Sequence, residues 1–131
     1  MLAQCGAKVW IFDLEKENPE AAARELGVQA CVADVTDAAS LEAAFACVPG
    51  VDVLIANAGI GTTQPLTETT PELWDRTLAV NLSGVFRTLQ LAARSMKERR
   101  RGAIVLTAST NSYDGEAELI AYNASKAGVL G

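Results

Sequence analysis

The run VDVLIANAG, residues 51–59, carries apolar side chains at nearly every position with almost no polar alternation. A strand with one wet face alternates, whereas a continuous apolar strand needs cover on both faces, as in a parallel sheet flanked by helices. The rest of the chain supplies helices in the right order. From Lys8, KVWIFD reads as a buried strand ending on Asp13. Asn18 reads as an N-cap, Pro19 as the first helical residue and Gly27 as the stop of a helix over 20–26. VQACVAD is a second strand ending on Asp34, after which Thr36 or Asp37 caps a helix. Its Leu41, Ala44, Phe45 and Val48 share one face before Pro49 and Gly50 end it. Beyond the 51–59 strand a loop reaches Thr70, and Pro71 opens a long helix ended by Gly102. Its apolar stripe is Trp74, Leu78, Leu82, Val85, Leu89, Ala93 and Met96. GAIVLTAS is the fourth strand, and a last helix begins near Leu119 and is still running at Gly131. Strand and helix alternating four times predicts an α/β fold with a parallel sheet, and ligands at the carboxyl ends of its strands.

Composition removes several kinds of chemistry. The 131 residues, 50% apolar, suffice for one compact domain and are too few for two. A net charge of −5 argues against nucleic acid, because phosphate binding needs a basic surplus. The one basic cluster, 97–101, ends a predicted helix, where cations complement the dipole. There is no histidine, which excludes histidine triads and most zinc sites. Cys5, Cys31 and Cys47 are odd in number and widely spaced, indicating neither a disulfide framework nor a metal site. No signal-peptide pattern and no membrane-length apolar run is present, so the expectation is a soluble cytoplasmic protein without a membrane partner.

Four strand ends carry polar candidates. Asp13 stands where an acid in a dinucleotide-binding fold accepts hydrogen bonds from the adenosine ribose and repels a 2′-phosphate, favouring NAD over NADP. An ordinary turn or capping Asp is the other reading. Asp34 and Val35 could meet an adenine ring, or Asp34 could precede the helix as a cap. Asn57, Ala58 and Gly59 end the third strand, where small residues permit close backbone approach and an amide can pin neighbouring strand ends. Asn81 falls on the buried stripe of the long helix, so its amide must be satisfied by a structural water, a strand end or a polar site.

Ser109, Tyr122 and Lys126 form the sharpest constellation. Tyr122 and Lys126 are four apart in a predicted helix and project from one face, and Ser109 ends the preceding strand. An ammonium about 4 Å from a phenol, at an effective dielectric of about 20, favours the phenolate by roughly 4 kcal/mol. That is enough to make tyrosine a working acid/base near neutrality. An exposed helical pair is the competing interpretation.

NAG at 57–59, VNLSGVF at 80–86, Ser109 and YNASKAG at 122–128 together resemble the short-chain dehydrogenase/reductase family along essentially the whole chain. The resemblance implies a Rossmann-like fold and hydride transfer between a nicotinamide and an alcohol or carbonyl. It implies Tyr122 as general acid/base, Ser109 holding the substrate oxygen, and Lys126 on the nicotinamide ribose. It implies Asn81 positioning a water of the proton relay, Asp13, Asp34 and Val35 on the adenosine side, and Asn57, Ala58 and Gly59 along the cofactor. A complete member is expected to be a homo-oligomer. One departure is large: the family's first strand and TGxxxGxG turn, which bind pyrophosphate, have no counterpart in these residues, nor do its carboxyl-terminal strands. The expectation is therefore a partial dinucleotide-binding domain over 1–131, with a gap in the family strand order 3-2-1-4-5. The alternative function is an inactive fragment or interaction module without cofactor binding.

Overall fold

The computed structural model describes all residues from Met1 to Gly131. They divide into two compact units, Met1–Gly50 and Val51–Gly131.

In the first unit, strands β1 (Trp10–Asp13) and β2 (Gln29–Val32) pair in parallel, with Trp10 opposite Gln29 and Asp13 opposite Val32. Helix α1 (Pro19–Leu26) makes the crossover. Asn18 caps it by accepting from Ala21 N at 3.2 Å, and Pro19 occupies the position where a missing N–H costs nothing. Gly27 closes it at φ 66°, a left-handed turn that glycine adopts without strain. Helix α2 (Ala38–Ala46) is capped by Asp37, which accepts from Ala39 N at 2.9 Å, settling the choice between Thr36 and Asp37. Leu41 and Ala44 are buried, and Phe45 meets Phe12 edge to face with ring centroids 5.4 Å apart.

All three cysteines are free; Cys31 lies on β2, against which α2 packs, and Cys47 follows the last residue of α2. Burial and the Cys47 sulfur push the Cys31 thiol up to about 11.

In the second unit, β3 (Val53–Ala56) and β4 (Ala103–Leu106) pair in parallel, Val53 opposite Ala103 and Ala56 opposite Leu106. The two pairings, β1 with β2 and β3 with β4, are those that the order 3-2-1-4-5 leaves when its central strand is removed. The expected cover on both faces of residues 51–59 is realised on one. Helix α4 (Val85–Arg99) packs against β3, whose Ala56 is buried, while Val53 and Ile55 on the alternate face are 57% and 51% exposed.

The expected long helix is present, but in three parts: α3 (Pro71–Leu78), a π-helical segment over Ala79–Gly84, and α4. Its buried line is not the anticipated apolar stripe. It runs through Thr77, Asn81, Gly84, Thr88, Ala92 and Met96, and Trp74 is exposed. The buried line is set one residue back along α3, the π segment and α4 alike, on the side that packs against α5 and β3. Small and self-satisfied side chains then suit the interior. Thr77 and Thr88 donate their hydroxyls back to the Leu73 and Gly84 carbonyls, each at 2.8 Å. Helix α5 (Ile120–Leu130) completes the unit and packs against α3, the π segment and the turn Thr110–Ser112.

Candidate active site

The carboxyl ends of β3 and β4 are tied together by side chains. Thr107 donates its hydroxyl to Asn57 Oδ1 at 2.9 Å, and its amide donates to the Ala56 carbonyl at 3.0 Å. The chain beyond β3 is held from the helical side. Asn81 accepts from Ile60 N and donates to Ile60 O, both at 2.8 Å, and donates again to Ser125 Oγ at 3.0 Å. Ser125 in turn donates to the Tyr122 carbonyl at 2.7 Å. Asn81 and Ser125 are wholly buried, so one amide locks the residue after Gly59 to the helix that carries Tyr122.

Lys126 lies one residue further along α5. The residue is 3% exposed, and its ammonium donates to the Thr107 carbonyl at 2.6 Å and sits 5.6 Å from the centre of the Tyr122 ring. None of the ion pairs includes it. A buried ammonium without a carboxylate is expensive, and its carbonyl and aromatic contacts offset only part of the cost. Its remaining N–H donors are free to meet an acceptor in the cleft.

That cleft, about 530 Å³, is lined by Asn57, Gly59, Ser109, Tyr122 and Lys126, with Gly61, Thr63, Asn111 and Glu116 among the other walls. Two glycines border these side chains. A Cβ on Gly59 would lie 3.4 Å from Asn81 Oδ1 and 3.6 Å from Lys126 Nζ, filling the space in front of the ammonium. One on Gly61 would press the Tyr122 ring at 3.3 Å.

Ser109 caps the turn Thr110–Ser112. Its Oγ accepts from Asn111 N at 3.2 Å and donates to Asn111 Oδ1 at 3.1 Å, and Ser112 Oγ donates to the Lys126 carbonyl at 2.8 Å. Asn111 also donates to Asn123 Oδ1 at 2.9 Å, stapling the loop after β4 to α5 beside Tyr122.

The second unit therefore brings Asn57, Gly59, Ser109, Tyr122 and Lys126 to one cleft, with Asn81 directly behind it and exposed Ala58 between Asn57 and Gly59. Asp13, Asp34 and Val35 belong to the first unit. There Asp13 and Asp34 share the carboxyl end of the β1–β2 pair, the Ala33 amide donating to the Asp13 carbonyl at 2.8 Å. Asp13 is exposed and accepts from Leu14 N at 2.8 Å. Asp34 Oδ1 accepts from the Thr36 amide at 2.8 Å and the Thr36 hydroxyl at 2.7 Å, which hold its carboxyl below the usual range. Val35 is half-buried. Sequence reasoning passed over Ser125, Thr107 and Asn111. Ser125 alone left a signal, a hydroxyl three residues after Tyr122 on the same helix face.

A tyrosine, a buried lysine and a serine thus meet in one cleft at the carboxyl ends of parallel strands, the place where α/β folds bind their ligands. The whole chain, residues 1–131, matches the family model described as short chain dehydrogenase, and the protein belongs to that family. D-threitol dehydrogenase of Mycolicibacterium smegmatis is 39% identical over 96% of this chain and 52% of its own length. The crystal structure of a gluconate 5-dehydrogenase from Burkholderia cenocepacia, in complex with NADP and tartrate, superposes with a TM-score of 0.90. It is 34% identical and is covered over 54% of its length by 98% of this chain. An actinorhodin polyketide ketoreductase with NADPH gives 0.89, also at 34% identity, covering 98% of this chain and 54% of that one. The fold is Rossmann-like, with parallel strands and flanking helices. The chain spans about half the length of the curated relatives it matches. No helix is long and apolar enough to cross a membrane.

Proposed function

We propose that residues 1–131 are a partial dinucleotide-binding domain, carrying the reacting groups of an NAD(P)-dependent oxidoreductase that interconverts an alcohol and a carbonyl. The observation that carries this reading is the cleft shared by Ser109, Tyr122 and Lys126, with the lysine buried yet unpaired by any acid. A nicotinamide dinucleotide fits what the residues offer. The open space before Gly59 would admit a ribose within reach of the Lys126 donors, and Asp13 presents a carboxylate at the end of β1. Asn57, Ala58 and Gly59 would lie along the cofactor, and Asp34 and Val35 would meet its adenosine end. The bound nicotinamide supplies or accepts the hydride.

Tyr122 then gives a proton to the carbonyl oxygen in reduction and takes one from the alcohol in oxidation. Ser109 orients that oxygen, and to do so its hydroxyl exchanges the Asn111 Oδ1 acceptor for the substrate. Lys126 orients the ribose. Asn81 spends both amide N–H groups and one lone pair on Ile60 and Ser125, which leaves one Oδ1 lone pair for a relay water. Asp13 favours NAD through its charge, although two of the structural neighbours are described with NADP or NADPH. The cleft's hydroxyls, amides and single exposed carboxylate suit a small uncharged hydroxylated substrate, in keeping with relatives described as threitol and sorbitol dehydrogenases.

Calorimetric titration of the protein with NADH and NADPH, followed by oxidation assays on D-threitol and sorbitol, tests the proposal. Binding of a cofactor, and turnover lost in Tyr122→Phe at unchanged cofactor affinity, is expected. Absence of binding by both cofactors, or full turnover in Tyr122→Phe, overturns it.

A further inference from the structure

We propose that Asn111, on the wall of the cleft, and Asn123, outside it, are positioning residues that hold Ser109 as a hydrogen-bond acceptor toward the substrate, so that the resting site receives an alcohol more readily than a carbonyl. The inference rests on the alcohol and carbonyl chemistry proposed for this cleft. The relay begins at the Glu116 carbonyl, which accepts from Asn123 Nδ2 at 2.7 Å. A carbonyl has no proton to give, so this bond fixes which end of the Asn123 amide faces it. Asn123 Oδ1 then accepts from Asn111 Nδ2 at 2.9 Å. The exposed Glu116 carboxylate approaches the same Asn111 nitrogen at 3.4 Å, again as an acceptor. Asn111 Oδ1 therefore faces Ser109 and takes its hydroxyl proton at 3.1 Å, while the Asn111 backbone N–H occupies one Ser109 lone pair at 3.2 Å. A single lone pair of Ser109 Oγ is left for the cleft. The register needs a close turn, since a Cβ on Gly115 would lie 3.3 Å from Asn123 Nδ2.

An alcohol can donate to that lone pair at once. A carbonyl oxygen cannot, and it engages Ser109 only after the hydroxyl leaves Asn111 Oδ1, which forfeits one hydrogen bond. The transition state needs the same turn in both directions, because the reacting proton passes between Tyr122 and the substrate oxygen while Ser109 donates to that oxygen. The relay thus favours the alcohol complex over the transition state, and it opposes the carbonyl complex and the transition state alike. Breaking it raises kcat/KM by one factor in both directions, as a fixed overall equilibrium requires. The factor enters as a lower KM for the carbonyl and as a higher kcat for the alcohol.

Two substitutions at one position separate this role from a structural one. Asn123→Ala removes the acceptor facing Asn111, whose amide can then turn and present Nδ2 to Ser109. Asn123→Asp keeps an acceptor facing Asn111 and lacks only the donor to the Glu116 carbonyl, so it should preserve the direction of the Ser109 proton. A role confined to stapling the loop would rank the two the other way, because a carboxylate beside the Glu116 carbonyl repels it. With the full chain, NADH and the ketotetrose that D-threitol yields on oxidation, KM for the ketose should fall about fivefold in Asn123→Ala at unchanged kcat, the effect of one hydrogen bond. In D-threitol oxidation kcat should rise by a similar factor at unchanged KM, and Asn123→Asp should follow the unaltered protein in both assays. Independently of turnover, nuclear Overhauser contacts from the Asn111 Nδ2 protons should reach the residue 123 side chain in the unaltered protein and in Asn123→Asp, and the Ser109 β-protons in Asn123→Ala. Kinetic constants unmoved by Asn123→Ala, an Asn123→Asp protein that departs as far as Asn123→Ala does, or Nδ2 protons that already face Ser109 in the unaltered protein would each overturn the proposal. An unaltered protein that turns over neither substrate overturns the proposed function instead, and the Overhauser contacts then decide the relay alone.

Discussion

Asn81 and Ile60 exchange two hydrogen bonds, side-chain amide to backbone, each 2.8 Å long, in the manner of paired residues on adjacent strands. The amide substitutes for a neighbouring strand at a point where the chain has left β3 and has no ladder partner. A π segment places Asn81 there, and Ser125 takes its second N–H. Side-chain geometry on a helix thus fixes the loop that borders the cleft.

Asn81→Ala removes the partners of the Ile60 amide and carbonyl together. An unsatisfied buried polar group costs about 1–3 kcal/mol, and water entering the vacated space recovers part of it. The expected loss is about 3 kcal/mol in urea unfolding, accompanied by fast amide exchange at Ile60. A loss under about 1 kcal/mol, with Ile60 still protected, would contradict the clamp.

Gly61→Ala tests how closely the loop approaches the tyrosine. Its Cβ would meet Tyr122 Cδ2 at 3.3 Å, close enough that the ring or the loop must move by a few tenths of an ångström. Stability should fall by about 1 kcal/mol, as in mild overpacking. The Tyr122 ring resonances should shift while those of Tyr113, which is 83% exposed, stay in place. Unmoved Tyr122 signals would show that the contact imposes no constraint.

Much of this fold is legible in the sequence because its determinants are local. Asn18–Pro19, Gly27, Asp37 and Thr70–Pro71 mark helix ends through the hydrogen bonds that cap them. The four strands follow from apolar runs, and Tyr122 and Lys126 share a face through helical spacing alone. What escaped is non-local. The shift of the buried line from Leu78 and Leu82 to Thr77 and Asn81 depends on which face the packing against α5 and β3 covers, and that leaves no periodic trace in the residues. Ser125 and the Thr107 carbonyl matter only because Asn81 and Lys126 reach them from elsewhere in the chain. Asn57 met one of its two readings directly, as a pin between strand ends.

Asp34 should make the first unit sensitive to acid. Its folded-state value is lowered by the Thr36 hydroxyl and amide, so the carboxylate stabilises the fold above its unfolded value of about 4. That contribution disappears as pH falls through the lower folded value. Asp34→Asn should therefore cost about 1 kcal/mol near neutral pH, held to that size by solvent screening, and almost nothing in strong acid. Denaturation of both proteins across this range measures it. A difference that grows as pH falls would have the wrong sign.

Asp13 offers a test of cofactor choice that follows from charge alone. Its carboxylate stands exposed at the end of β1, with one oxygen accepting from Leu14 N. An NADP 2′-phosphate placed near it would face like-charge repulsion, and the vicinal ribose hydroxyls of NAD would find an acceptor. Asp13→Ser removes the charge and keeps a small polar group. The affinity ratio of NADPH to NADH should rise by about tenfold, equivalent to about 1.4 kcal/mol. Because the opposing charge is an electrostatic term, the wild-type discrimination should weaken with added salt while that of Asp13→Ser stays flat. An unchanged ratio in the variant, or equal salt dependence in the two proteins, would remove Asp13 from cofactor selection.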